Sequence, residues 1–213
     1  MRIGALPVLK QMQRRIRRKR IDLFLNTVKP SKDWKILDVG GTTPTWRLPG
    51  MEDYSATLLN LGAEPIPEDL RPRISSMAGD ATNLSQADDT FDLVFSNSVI
   101  EHVYTWENQQ KFAAEAMRVG KALWIQTPAQ EFFFEPHYIT PFFHWFSKPM
   151  RKKLGRFTVW GLFSKAGPEA IAERVEEIRL LTRSECEELF PGCEILEEKF
   201  LGMVKSYIII RRH

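Results

Sequence analysis

Apolar positions at the start of the chain fall at helical spacing. Leu9, Met12, Ile16 and Leu23, with Phe24 beside the last, predict an amphipathic helix that Pro30 ends. Lys35-Ile-Leu-Asp-Val-Gly-Gly41 is a short apolar run closing on glycines, the pattern of a buried strand that feeds a tight loop. Tyr54–Leu59, Ile74–Met77 and Phe91–Phe95 read as three further strands. Trp106–Val119 returns to helical spacing, with Gly120 at its end, and Lys121–Thr127 is a fifth strand stopped by Pro128. Thr182-Arg-Ser-Glu185 is a capping box that opens a short helix to Phe190. After the turn at Pro191-Gly192, Cys193–Glu198 and Val204–Arg211 form two strands joined at Gly202, an antiparallel hairpin at the chain's end.

Strands that alternate with helices predict an α/β fold around a parallel sheet with right-handed crossovers. Residues 130–165 break that alternation. They carry ten Phe and Trp residues, interrupted by five prolines or glycines, and follow neither period. The expectation is an irregular lid or pocket wall rather than a plain connector. Residues 1–30 are therefore set apart as a basic amphipathic helix, and residues 31–213 as one domain carrying the aromatic insert.

Charge adds one asymmetry. The net charge is +3, yet residues 1–20 hold eight bases and no acid, which leaves 22 bases against 27 acids, or −5, over the remainder. A basic arm on an acidic body predicts contact with something anionic, a lipid surface or nucleic acid, with a packed helix face as the plainer alternative. Only two cysteines, Cys186 and Cys193, are present, which suits a reducing cytoplasm better than a disulfide framework. No apolar run is long enough to span a bilayer, so the expected location is cytoplasmic, with peripheral membrane contact.

In an open α/β sheet ligands bind beyond the carboxyl ends of the strands. Those ends carry Asp38, Gly40, Gly41 and Thr42, then Asn60, then Asp80, then Asn97, Glu101 and His102. Glycines admit a ligand close to the backbone, and a neighbouring acid suits a cationic amine. No phosphate-binding loop of the G-x-x-x-x-G-K-[ST] kind is present, and Asp38 would repel a pyrophosphate.

Lys35–Gly41, Gly79-Asp-Ala-Thr-Asn-Leu84 and Phe91-Asp-Leu-Val-Phe-Ser-Asn-Ser-Val-Ile-Glu-His-Val103 resemble, in order and separation, motifs I, III and IV of the class I S-adenosylmethionine (SAM)-dependent methyltransferases. The terminal hairpin is similar to that family's last two strands. The resemblance implies a Rossmann-like, seven-stranded, mostly parallel sheet with a C-terminal antiparallel hairpin and helices on both faces. It implies SAM as cofactor, with Asp38, Gly40, Gly41 and Thr42 at its amino acid part, Asn60 at the ribose, Asp80 and Ala81 at the adenine, and Asn97 near the methionine end. Two positions depart from the family: Thr42 replaces a glycine, and Asn60 replaces an acid with a weaker hydrogen-bonding partner.

His102 and His137 are the candidate bases for a methyl transfer that depends mainly on positioning. Glu101-His102 resembles the Glu-x-x-Glu-His metal cluster of some methyltransferases, but Ser98 stands where its first glutamate would be, so no metal is expected. Ser96-Asn-Ser-Val99 in place of Asn-Pro-Pro-Tyr argues, by the same resemblance, against a nucleobase amine, and nucleic acid is not the expected partner. The aromatic insert favours a small apolar or lipid- or glycan-linked acceptor, methylated on oxygen or carbon. The competing readings are an inactive SAM-binding scaffold and an RNA methyltransferase that uses the basic arm.

Overall fold

The computed structural model describes the chain from Pro7 to His213, with side chains at position 15 and from position 17 onward. Arg2 lies outside the described residues, as do the side chains of Lys10 and Arg14. The elements in chain order are α1 (Pro7–Val28), β1 (Ile36–Val39), β2 (Ala56–Asn60), β3 (Ile74–Ala78), β4 (Phe91–Asn97), α2 (Trp106–Val119) and β5 (Gly120–Pro128). The insert contributes β6 (Phe134–Glu135), β7 (Thr140–Pro141), α3 (Lys148–Leu154) and α4 (Val159–Ser164). Then follow α5 (Pro168–Glu177), α6 (Arg183–Leu189), β8 (Glu194–Phe200) and β9 (Met203–Arg211).

Seven strands form one sheet in the order β3-β2-β1-β4-β5-β9-β8. The first five are mutually parallel, and β9 runs antiparallel between β5 and β8. Because successive side chains on a strand point to opposite faces, each central strand feeds two cores. Leu37, Val39, Leu123, Ile125 and Ile209 enter the core beneath α2 and α6. Ile36, Trp124, Ile208 and Ile210 enter the other, beneath α1. Helices thus cover both faces, and the strand order reverses between β1 and β4, where such sheets open their ligand crevice.

The crossover from β1 to β2 holds only a single 3-10 turn, Thr45–Arg47, with Trp46 fully buried. The face that this crossover leaves bare is covered instead by α1. Ile21, Phe24 and Val28 are buried there, and Phe24 meets Phe95 and Trp124 edge-on at 5.0 and 5.3 Å between ring centroids. Arg20, on the same stretch of helix, donates to Gln126 Oε1 at 2.6 Å and pairs with Glu198 on β8 at 2.8 Å.

The insert corrects the expectation of an irregular loop. Its residues build a two-stranded hairpin and two short helices, and with α5 they enclose a third core of Tyr138, Phe143, Ile171, Val175, Ile178 and Leu180. The sequence hid these helices because α3 (KPMRKKL) buries no side chain and α4 has only six residues. The terminal hairpin formed as expected, with Leu201 and Gly202 at φ 50 and 80, the paired left-handed turn that matches strand twist. The capping box at Thr182 and Glu185 is present with both of its hydrogen bonds.

Candidate cofactor and acceptor site

Asp38 sits in a strand paired on both sides, opposite Leu58 and Phe95, so its carboxylate is buried with only 2% of its surface exposed. Its one side-chain partner among the described residues is Trp46 Nε1, which donates at 2.8 Å. Burial raises the carboxyl's pKa to about 7, against the pull of that hydrogen bond. Gly40 follows at φ 67, its N–H donating to Leu59 O at 2.8 Å, and Gly41 packs so tightly on the Asp38 carboxyl that a Cβ there would overlap it. Asn60 donates through Nδ2 to Gly41 O at 3.0 Å, which leaves Oδ1 free to accept. Asp80 is exposed beyond β3, and the N–H and hydroxyl of Thr82 hold its carboxyl below the usual range.

These residues line two cavities of about 300 Å³ each, and Gly40 borders both. One contains Asp38, Gly41, Thr42 and Asn97, and the other Asn60, Asp80, Ala81 and His102. All eight residues expected to hold a cofactor therefore meet along one crevice. In the first cavity Asn97 Oδ1 is buried without a hydrogen-bond partner among the described residues. An oxygen in that state costs about 1–3 kcal/mol unless a ligand donates to it.

Residues 51–122, from just before β2 into β5, match the family profile of a methyltransferase domain. That match spans about a third of the chain and marks a methyltransferase domain there. Solved structures share the fold. A SAM-dependent methyltransferase from Methanosarcina mazei is 17% identical over 88% of this chain and 95% of its own, with a TM-score of 0.50. The PH0226 protein of Pyrococcus horikoshii OT3 is 18% identical over 91% and 89%, with a TM-score of 0.52. No curated protein matches the sequence.

SAM is the cofactor that the methyltransferase-domain match implies, and the residues present fit it. When bound it supplies an electrophilic methyl on a sulfonium. Asp38 and Asn97 Oδ1 would be the acceptors for its ammonium group, Asn60 Oδ1 for ribose hydroxyls, and the free oxygen of Asp80 for an adenine amine. Arg17 and Arg20 of α1 also line the first cavity. They went unread as site residues because the arm looked separate; their place one and two turns before Phe24 was the available signal.

Beyond β4 the methyltransferase gathers a second constellation. His102 and His137 stand with ring centroids 4.8 Å apart, although they lie on different loops. Each ring is steered through Nδ1, toward Glu177 at 2.8 Å for His102 and Glu135 at 2.6 Å for His137. A carboxylate only accepts, so in the neutral ring Nδ1 carries the proton and Nε2 the lone pair. Glu101 lies beneath them, fully buried, with Oε2 accepting from Thr127 and Oε1 unpartnered. Burial raises its pKa, opposed by the two histidines. Burial by itself would depress His137, but the Glu135 and Glu101 carboxylates together outweigh it and the net shift is upward. Potential ligand atoms of Glu101, His102 and His137 lie within 4.8 Å of one another, so a third ligand that the sequence left distant completes a set spaced for one cation. Glu135 and Glu177 were missed as orienting groups. They come from the insert and α5, and no local pattern ties them to the histidines.

Proposed function

We propose that this methyltransferase methylates an oxygen or carbon of an apolar, lipid-linked acceptor drawn from an anionic membrane surface, with His137 as base and His102 beside it. The distribution of exposed apolar side chains carries this reading. Of the thirteen large ones among the described residues, eight lie in the insert and three at the β8–β9 turn. The two groups are joined by aromatic contacts running Phe200–Phe132–Phe133–Phe142–Trp145, at centroid spacings of 4.8 to 6.3 Å. An exposed apolar area of that kind marks an interaction surface. Its surroundings are cationic: residues 136–168 hold six Lys and Arg and no acid. Aromatic side chains among bases suit the headgroup region of an anionic bilayer. Among the described residues no helix is long and apolar enough to cross one. The basic residues of 1–20 are proposed to add to the same contact, with Arg20 reserved for its pair with Glu198.

Sedimentation with vesicles tests the surface. The wild type is expected to pellet with phosphatidylcholine–phosphatidylglycerol vesicles and far less with phosphatidylcholine alone. A Trp145→Ser, Phe157→Ser, Leu162→Ser variant should stay in the supernatant with SAM affinity unchanged. Equal pelleting of that variant would remove the surface from the account. For the base, His137→Gln should lower kcat by about 10²–10⁴-fold with SAM affinity held. Wild-type turnover should rise with pH through the elevated pKa of His137, since only the unprotonated ring accepts a proton. An unchanged kcat in the variant would exclude His137 as base.

A further inference from the structure

We propose that the cavity between the insert and the β4–α2 connection is a binding site for a phosphate group, walled by Arg151, Tyr138 and His144. The cavity measures about 380 Å³ and is distinct from the two cofactor cavities, sharing only Tyr104 with the second. Seven buried side-chain atoms lack a hydrogen-bond partner among the described residues, and three belong to this one cavity: Tyr138 Oη, His144 Nδ1 and Arg151 Nε. Tyr138 is fully buried and His144 is 9% exposed. Unpaired polar atoms at such depth are costly singly, and three on residues that line one space point to a ligand that completes them.

The remaining charges are already engaged. Lys148 pairs with Glu176, and Arg179 with Glu185 and Gln109 Oε1. Glu185 also accepts from Thr182 N–H, while Glu135 accepts from His137 and from Tyr138 N–H. Arg151 alone of the cavity's cations makes no side-chain hydrogen bond or ion pair to a described residue. The cavity thus offers one uncommitted guanidinium.

The polar walls discriminate between anions. Arg151 Nε and the Tyr138 hydroxyl donate. His144 Nε2 lies 2.8 Å from Gln130 O and donates to it, so Nδ1 presents a lone pair and needs a donor from the ligand. A carboxylate offers acceptors only. A phosphate monoester carrying one proton offers acceptor oxygens and an O–H at once, and it meets all three atoms. The site's place against Glu135, which steers His137, makes it the seat of a phosphate on the acceptor. That role rests on the acceptor reading above, whereas the binding site itself does not.

The test is calorimetric titration of the full chain with inorganic phosphate, without SAM, using acetate as the comparison. Wild type is expected to bind phosphate saturably and more tightly than acetate. Arg151→Gln should weaken phosphate at least tenfold, and Tyr138→Phe, which keeps the ring packed on Phe143 and Trp160, should weaken it several-fold. Affinity for SAM should be unchanged in both. Displacement by soluble glycerol 3-phosphate would support a free phosphate monoester as the source, and displacement only by phosphatidic acid vesicles a lipid headgroup. Absent phosphate binding, parity with acetate, or equal affinity in both variants would overturn the proposal, whatever the vesicle and turnover experiments return.

Discussion

Gly40→Val is expected to abolish SAM binding while the sheet stays folded. Gly40 lies at φ 67, a region that costs an L-residue about 1–2 kcal/mol and a β-branched one more. A Cβ at this position would also overlap Val99 Cγ2, on the loop that follows β4. The strain can be relieved only by moving one loop off the other, and both line the cofactor crevice. Gly40 borders both cavities, so any added side chain stands where one ligand would have to cross between them. The expected result is a loss of at least 100-fold in SAM affinity by calorimetry, with the far-ultraviolet circular dichroism of the wild type. Affinity within threefold of wild type in a folded variant would show that the crevice is not the cofactor site.

Asp38→Asn should do two opposite things: weaken SAM severely and make the protein more stable above neutral pH. The buried carboxyl has its pKa raised from 3.8 to about 7, so the folded state holds a proton that the unfolded chain gives up near pH 4. Between these values the native state binds more protons than the unfolded one, and stability falls as pH rises. The group's contribution is fully present below pH 4 and lost as the pH passes 7, a difference of about 4 kcal/mol. An amide at position 38 never ionises and can still accept from Trp46 Nε1, so the variant avoids that loss. Its melting temperature at pH 8 should exceed the wild type's by several degrees, with the gap closing toward pH 4. SAM affinity in the wild type should fall about tenfold per unit below pH 7, because only the carboxylate pairs with an ammonium, and the variant should show no such slope. A variant no more stable than wild type at pH 8 would mean that the carboxyl is solvated rather than buried.

The two sites differ in how far they could be read beforehand. Asp38, Gly40, Asn60, Asp80 and Asn97 each stand in the last residues of a strand or just past its end, and strands are visible as short apolar runs closed by turn residues. Once the sheet is parallel, these ends must share one edge, so the meeting of these residues along one crevice was legible in the sequence. His137 and His102 are 35 positions apart on loops, and their contact was not legible. It depends on how the insert folds back over β4, which its own third core decides. The arm was read from its charge as a separate element, and only its fit over the short β1–β2 crossover shows why Ile21 and Phe24 are core residues.

By itself the amino-acid sequence determined the strand and helix alternation, the antiparallel terminal pair, the capping box at Thr182 and the edge at which the strand-end residues gather. All of these follow from local periodicity, turn chemistry and the rule that places ligands beyond strand ends. Only the tertiary structure decided which carboxylates hold the two histidines, that the insert is a folded unit with apolar side chains left outside, and that Arg151 faces a cavity without a partner. Those are contacts between residues far apart in the chain, and burial and pairing of that kind exist only once the chain has closed on itself.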